Sequence, residues 1–299
     1  MTTPKTFKCG FVSIVGPTNA GKSTFLNALL NDKISIVSAK PQTTYHSIKG
    51  IHNSEEAQII FIDNPGFQRR KENIHRMLNQ VAHKNSDGCD VLCLMLDISS
   101  SKLYEEFEGL KKELNNKNLF LLLNKIDTLD KKNVLPIMKH FSETGLFKEI
   151  IPISAKKNDG VKEFLSCVLN YLPVSEPFYP LDRSTDRPES FLYSEYIREK
   201  IYQVTKQEIP YRVRVEINDE FKALDEKTPH IYATIHIDSD SRKAILIGKQ
   251  ANLLKEIGIR ARKDIEKKLN KKICLKLHVS VEKEWLLDKR KVEKYLELS

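Results

Sequence analysis

No stretch of this 299-residue chain approaches the roughly 20 apolar residues that a membrane-spanning helix needs. The longest early apolar run, Phe11 to Val15, is too short for the core of a secretion signal. The cysteines are five, at positions 9, 89, 93, 167 and 274, and they show neither a CxxC pair nor the Cys/His spacing of a zinc module. An odd count also argues against a disulfide framework, so most of them read as small buried hydrophobes in a cytoplasmic protein. No internal repeat appears, and nothing marks a catalytic cysteine or a metal cluster. What remains is ordinary globular usage, 40% hydrophobic and 30% charged, on a chain long enough for two cores.

Four short motifs follow one another in a fixed order: GPTNAGKS from Gly16 to Ser23, DNPG from Asp63 to Gly66, NKID from Asn124 to Asp127, and SAK from Ser154 to Lys156. The first fits GxxxxGKS and lies between an apolar strand candidate, Phe11 to Val15, and a helical run, Phe25 to Leu30. That is the setting of a phosphate loop. Gly16 and Gly21 let the backbone curl so that successive N–H groups, through Pro17, Thr18, Asn19 and Ala20, point at phosphate oxygens; the start of the helix, with Thr24, adds its partial positive charge. Lys22 is expected to reach the outer phosphates and the Ser23 hydroxyl to ligate Mg2+.

NKID selects the base. It follows the apolar run Leu119 to Leu123, so its side chains emerge at the carboxyl end of a parallel sheet, where such folds bind ligands. The Asp127 carboxylate can accept from guanine N1–H and the exocyclic amine together, and it would be left unpaired against adenine. Asn124 holds the loop or touches the base, the Lys125 stem can lie over the base, and Ser154 and Ala155, ahead of Lys156, offer backbone N–H to the guanine oxygen. In DNPG, Asp63 would hold Mg2+ through water and the Gly66 N–H would face the γ-phosphate, flanked by Asn64 and Pro65. Thr43 or Thr44 of the intervening PQTT would cap the metal when GTP is bound. No residue stands out as a catalytic base; Lys22 and Gly66 are expected as stabilisers of the γ-phosphate. In Ras-type switches a glutamine follows DxxG, and here Phe67 stands there, with Gln68 one place later, which predicts slow turnover.

The first domain reads as strands near 10–15, 58–62, 91–96, 119–123 and 150–153 with helices between and a last helix near 160–171, a mostly parallel α/β sheet covered on both faces. Four prolines and no periodicity mark 173–188 as a linker. Beyond it come an amphipathic helix, Glu189 to Gln207, alternating strands at Tyr211 to Ile217 and Ile231 to Ile237, a short helix, a Gly-led loop, a second helix, and a strand from Cys274 to Val281. Residues 242–276 hold 12 Lys or Arg against 3 Asp or Glu, a net +9 that equals the charge of the entire chain. Concentrated basic charge is the footprint of a nucleic-acid partner, although an anionic membrane surface would suit the same charges.

The phosphate loop with asparagine fourth, PQTT followed by HSIKGI, DxPG, NKID and ISAKK resemble the Era family of ribosome-assembly GTPases, and the order of the C-terminal elements resembles the type II KH domain, an α+β RNA-binding fold, that this family carries. The resemblance implies a G domain at 1–172, a linker at 173–188 and a KH domain at 189–299. It also implies GTP hydrolysis with Mg2+ and binding of single-stranded RNA near the 3′ end of small-subunit (16S) rRNA, in maturation of the small ribosomal subunit; a monomer is expected. In related GTPases an asparagine at the place of Asn19 helps hold K+. The KH loop would be Gly248, Lys249, Gln250 and Ala251, followed on the next helix by Lys255, Arg260, Arg262 and Lys263. Tyr45, Asn64 and Ala251 depart from the family pattern, and Ala251 is expected to keep negative φ. Two other classes, a tRNA-modifying GTPase and a signalling GTPase peripheral on the inner face of the cell membrane, share the nucleotide motifs but would need chemistry or an apolar face that the sequence lacks.

Overall fold

Continuous apolar runs become strands of a covered parallel sheet because both of their faces must be shielded from water. In a computed structural model that describes residues 7–38, 40, 46–66, 88–114, 116–205, 209–220, 228–283, 285–286 and 288–296, five such runs pair in parallel: β1 (Lys8–Val15), β3 (Ala57–Asp63), β4 (Val91–Asp97), β5 (Leu119–Asn124) and β6 (Glu149–Ile153). A sixth strand, β2 (Ile48–Asn53), joins antiparallel to β3, giving the order β2-β3-β1-β4-β5-β6. β2 was not anticipated: IKGIHN contains a glycine and polar residues at half its positions, and its place is set by main-chain pairing with β3. Every residue of β3 and β5 is buried. Helices α2 (Leu103–Leu110) and α3 (Lys131–Glu143) cover one set of side chains, with Phe107 and Phe141 packed on Leu92, Leu94, Leu96, Leu121 and Leu123. For the alternate set, α1 (Lys22–Leu30) and α4 (Val161–Leu169) meet through Phe25 and Phe164, whose rings are 5.1 Å apart, with Phe61 at 6.0 Å from Phe164.

The chain divides into two compact units, one of Met1–Ser35 with Thr44–Asp186 and the other of Ile36–Thr43 with Arg187–Ser299. The proline-rich stretch does not hang free of the first unit: Cys9 N–H donates to the Pro173 carbonyl at 3.1 Å and Ile51 N–H to that of Ser184 at 2.9 Å, while the buried Gln58 accepts from Phe178 and Tyr179 N–H. The division falls between Asp186 and Arg187.

In the second unit, α5 (Glu189–Val204) ends earlier than its periodicity predicts, where the Thr205 hydroxyl bonds back to the Ile201 carbonyl at 2.6 Å. β7 (Val213–Glu220) pairs antiparallel with β8 (His230–Ile237), and β8 pairs parallel with β9 (Cys274–Val281). Alternate residues of β8, Ile231, Ala233, Ile235 and Ile237, are buried. Two helices lie between β8 and β9, α6 (Asp240–Ile247) and α7 (Asn252–Leu269), and α7 buries Ile257, Ala261 and Ile265, the first two in the core shared with Ile197 and Ile201 of α5. A final helix, α8 (Lys289–Leu296), was not anticipated in so charged a segment; it places the buried Val292 beyond the chain's one tryptophan, Trp285, which is buried too. Within this unit Val37 N–H donates to Glu199 at 2.9 Å, and the Lys40 ammonium to the carbonyls of Tyr202 and Thr205. Among the described residues, no helix is long and apolar enough to cross a membrane.

Candidate nucleotide site and nucleic-acid loop

The turn from β1 into α1 depends on Gly21, which sits at φ +102°; a Cβ there would lie 2.2 Å from the Asn124 side-chain nitrogen. A residue with a side chain is excluded twice, by conformation and by space. No side chain caps the start of α1, so its first N–H groups face the loop. Inside the loop the buried Lys22 ammonium donates to the carbonyls of Gly16 (3.0 Å) and Pro17 (2.8 Å). Burial pulls its pKa down to about 8, against the opposing charge of Asp63. A phosphate would both satisfy these donors and restore the charge.

Asp63 closes β3 with its carboxylate fully buried. One oxygen, Oδ2, accepts from the hydroxyls of Ser23 (2.8 Å) and Ser35 (2.9 Å), while Oδ1 has no partner among the described residues. Burial raises its pKa, opposed by Lys22 and the two hydroxyls. An unpartnered buried carboxylate oxygen beside a serine hydroxyl is a donor set for a hard cation, and it fits Mg2+. Ser35 carries no motif and was not foreseen; the Asn27 side chain sets it, accepting from Ile34 and Ser35 N–H at 3.0 Å each and donating to the Ser35 carbonyl at 2.7 Å. Thr43, Thr44, Tyr45, Phe67 and Gln68 lie outside the described residues. The Asn64 side chain, grouped by the sequence with the nucleotide residues, turns into the interior, where it donates to the Ser13 hydroxyl at 2.8 Å.

The base end of the site is organised by Asn124. Its amide nitrogen donates to the Ala20 carbonyl of the phosphate loop at 2.7 Å, and its oxygen accepts from Ala155 N–H of the SAK loop at 3.0 Å. Asn124 therefore braces two loops. The backbone donors expected to face guanine are correspondingly engaged within the protein: Ser154 N–H bonds the Asp159 carbonyl at 3.0 Å, and Ala155 N–H bonds Asn124. The Ser154 side chain has a role that the motif did not disclose, because its hydroxyl donates to Asp127 Oδ1 at 2.6 Å and is the first cause of that carboxylate's lowered pKa. Lys125, at φ +69°, is held by Asp97 at 2.5 Å. Asp97 was also missed, although its position at the end of β4, in register with Asn124, is a signal that strand alignment provides.

In the second unit, α6 and α7 are joined by Gly248 (φ +73°), Lys249, Gln250 (φ +49°) and Ala251 (φ +59°). The expectation for Ala251 is overturned, since the loop makes its turn with two consecutive left-handed residues and the alanine takes one of those places. Lys249, Gln250 and Lys255 are exposed, and so is Ile245 at 55%, an apolar neighbour that charge counting overlooked. On α7, Arg260 is paired with Glu256 at 2.6 Å and Arg262 stands 4.0 Å from Glu266, whereas Lys263 is exposed.

Known proteins match both units. Residues 11–125 fit the family "50S ribosome-binding GTPase" and residues 208–286 fit "KH domain". GTPase Era of Geobacter sp. strain M21 is 40% identical over 294 residues, covering 97% of this chain and 98% of its own, and GTPase Era of Staphylococcus haemolyticus is 39% identical with 93% of each covered. A variant of Era from Aquifex aeolicus bound to GDP·AlF4− has the same fold, with a TM-score of 0.92 at 35% identity over 97% of this chain and 99% of its own. A crystal structure of Era in complex with MgGDPNP and nucleotides 1506–1542 of 16S ribosomal RNA matches with a TM-score of 0.90 at 36% identity over 97% of this chain and 98% of its own. Similarity along nearly the full length, through a phosphate loop, a guanine-type loop pair and a KH fold, means that this chain belongs to the Era family of GTPases.

Proposed function

We propose that this chain hydrolyses GTP and binds single-stranded RNA near the 3′ end of the small-subunit rRNA, acting as a monomer in maturation of the small ribosomal subunit in the cytoplasm. The nucleotide domain (1–172), the proline-rich connector (173–188) and the KH domain (189–299) are its working parts. The observation that carries the nucleotide assignment is the Asp127 carboxylate, which accepts from the Ser154 hydroxyl beside an Asn124 that ties NKID to the phosphate loop. An ionised carboxylate there accepts two guanine donors. Ser23 and Asp63, with Thr43 or Thr44, hold Mg2+, whose charge offsets that of the β- and γ-phosphates when it is bound.

Lys22 lies on the γ-phosphate with the Gly66 N–H, and the N–H groups from Gly16 to Thr24 enclose the other phosphate oxygens. Water attacks the γ-phosphorus in line, and the protein contributes by positioning and by preorganised positive charge. With Phe67 after DNPG no side chain at that place orients the water, so the unassisted rate falls near 10⁻⁴ to 10⁻³ per second, roughly that of intrinsic Ras-type turnover. Asn19, left-handed at φ +64° in the loop, takes part in holding K+ where an arginine finger would act. In the KH loop the backbone at Gly248 closes on RNA phosphates with Lys249, Gln250 and Ala251, and Lys255, Arg260, Arg262 and Lys263 supply charge behind it.

The test is Asp127→Asn. Its carboxamide presents a donor where guanine also presents one, so GTP affinity should fall and xanthosine triphosphate, with an acceptor at that place, should gain. A titration in which the variant keeps wild-type GTP affinity removes NKID from the pocket.

A further inference from the structure

The far end of α7 carries charge that the KH loop does not use. α7 has 18 residues and is about 27 Å long, so its last turn is well removed from Gly248 at its start. Buried Ile257, Ala261 and Ile265 define its inner face; Arg260, Lys263 and Lys267 follow at helical spacing along the opposite one. Where the helix stops, at the left-handed Asn270, the chain folds back and adds Lys271 and Lys272. Lys263, Lys267, Lys271 and Lys272 thereby surround a concavity of about 370 Å³ with Asn270 and Glu266.

Glu266 is the one acid in that lining, and its charge is already engaged: it accepts from Ile273 N–H at 3.3 Å and pairs with Lys272 at 3.2 Å. Lys263, Lys267 and Lys271 are exposed and make no ion pair among the described residues. Three like charges around one hollow repel one another, and a polyanion relieves that repulsion while releasing its own counterions.

We propose that this hollow is a second phosphate-contact site, which takes the backbone of the same RNA strand after it leaves the KH loop. The proposal rests on the RNA reading above and extends it to a longer footprint. The KH loop clamps about four nucleotides. At roughly 3.4 Å per stacked nucleotide, the length of α7 corresponds to about eight more, so a strand of about 12 nucleotides reaches both contacts and one of five does not. An anionic membrane would be met by the same charges, but every residue that lines the hollow is charged or an amide, and a bilayer contact of any strength needs apolar side chains as well.

The experiment uses the full chain and two unstructured oligoribonucleotides of A and C, a 5-mer and a 16-mer, titrated by fluorescence anisotropy across a salt series. The variants are K267Q/K271Q and, as rescue, K267R/K271R, which leave Lys263 to the KH loop. For the Gln variant the 16-mer should bind about fivefold more weakly, with a salt slope lower by about 1.4, since each phosphate contact on a single strand contributes about 0.7. The 5-mer and the GTPase rate should be unchanged, and the Arg variant should bind as wild type. Equal loss for both oligomers, or no loss for either, overturns the proposal. So does wild-type binding to phosphatidylserine vesicles that the Gln variant loses while it retains the 16-mer. Failure of wild type to bind either RNA would instead overturn the RNA function itself.

Discussion

Replacing Asn124 with alanine would remove a side chain that bonds both the phosphate loop and the SAK loop. The residue is 2% exposed, and both ends of its amide are in use, so the change strands the Ala20 carbonyl and the Ala155 N–H in a buried setting. A buried polar group without a partner costs about 1–3 kcal/mol, so the pair comes to roughly 2–6 kcal/mol. For a unit of this size each kcal/mol lowers Tm by about 2–4 °C, and a loss near 3 kcal/mol predicts a fall of about 6–12 °C. Asn124→Asp should do no better, because it keeps an acceptor for Ala155 but sets a carboxylate oxygen against the Ala20 carbonyl. The assay is helped by Trp285 being the chain's one tryptophan and lying in the second unit: its fluorescence follows that unit, while far-UV circular dichroism follows both. The nucleotide-free variant should lose the first unit's transition early and leave the fluorescence transition in place. If the circular-dichroism midpoint moves by less than about 1 °C, the amide is not a brace and the argument fails.

Hydrolysis measured in potassium and in sodium at equal ionic strength should be faster in potassium if Asn19 helps hold that ion; equal rates refute it. Gly248→Asp should abolish RNA binding and leave GTP hydrolysis intact, since it adds bulk and negative charge at φ +73°, where a Cβ meets Leu253 at 3.0 Å; wild-type RNA affinity would exclude the loop as the clamp. Ala251→Gly should leave RNA affinity little changed and stabilise the second unit by up to about 1 kcal/mol, as relief of a left-handed alanine outweighs the added entropy of unfolded glycine. A lower urea midpoint by Trp285 fluorescence would contradict that. Lys291, then Arg214, donate to Glu282 and pull its pKa from 4.5 to about 2. The folded state thus binds fewer protons than the unfolded one, and the resulting stability is present above pH 4.5 and is lost as pH falls toward 2. Glu282→Gln should flatten the second unit's acid dependence in that window, and an unchanged pH profile would show that the pairing contributes nothing.

Runs of apolar residues long enough to be buried on both faces were legible as strands, and so were motifs whose spacing encodes a backbone path. β2 was not, because a strand held by main-chain pairing needs no apolar pattern, and α8 was not, because few apolar anchors are diluted by charge. Ser35 and Asp97 escaped for a different reason: each is a single polar residue brought to the site by another element, Asn27 in one case and strand register in the other. The left-handed Ala251 contradicts residue preference locally and is held by the loop around it. For Asn124 the sequence left two roles open, holding the loop or touching the base, and both of its hydrogen bonds here are those of the brace.

The two outer strands of the first sheet would each offer a row of unpaired backbone groups to another chain. β6 carries Pro152, which removes a donor from one margin. β2 at the other margin has no proline or bulge, and it is covered instead by the proline-rich stretch, through Ile51 N–H to Ser184 and the bridge from Gly50 to Thr185. The stretch that joins the units is thus also a guard against aggregation. A shortened chain ending at Leu172 would bare that margin and self-associate through it, whereas one ending at Asp186 would stay dispersed.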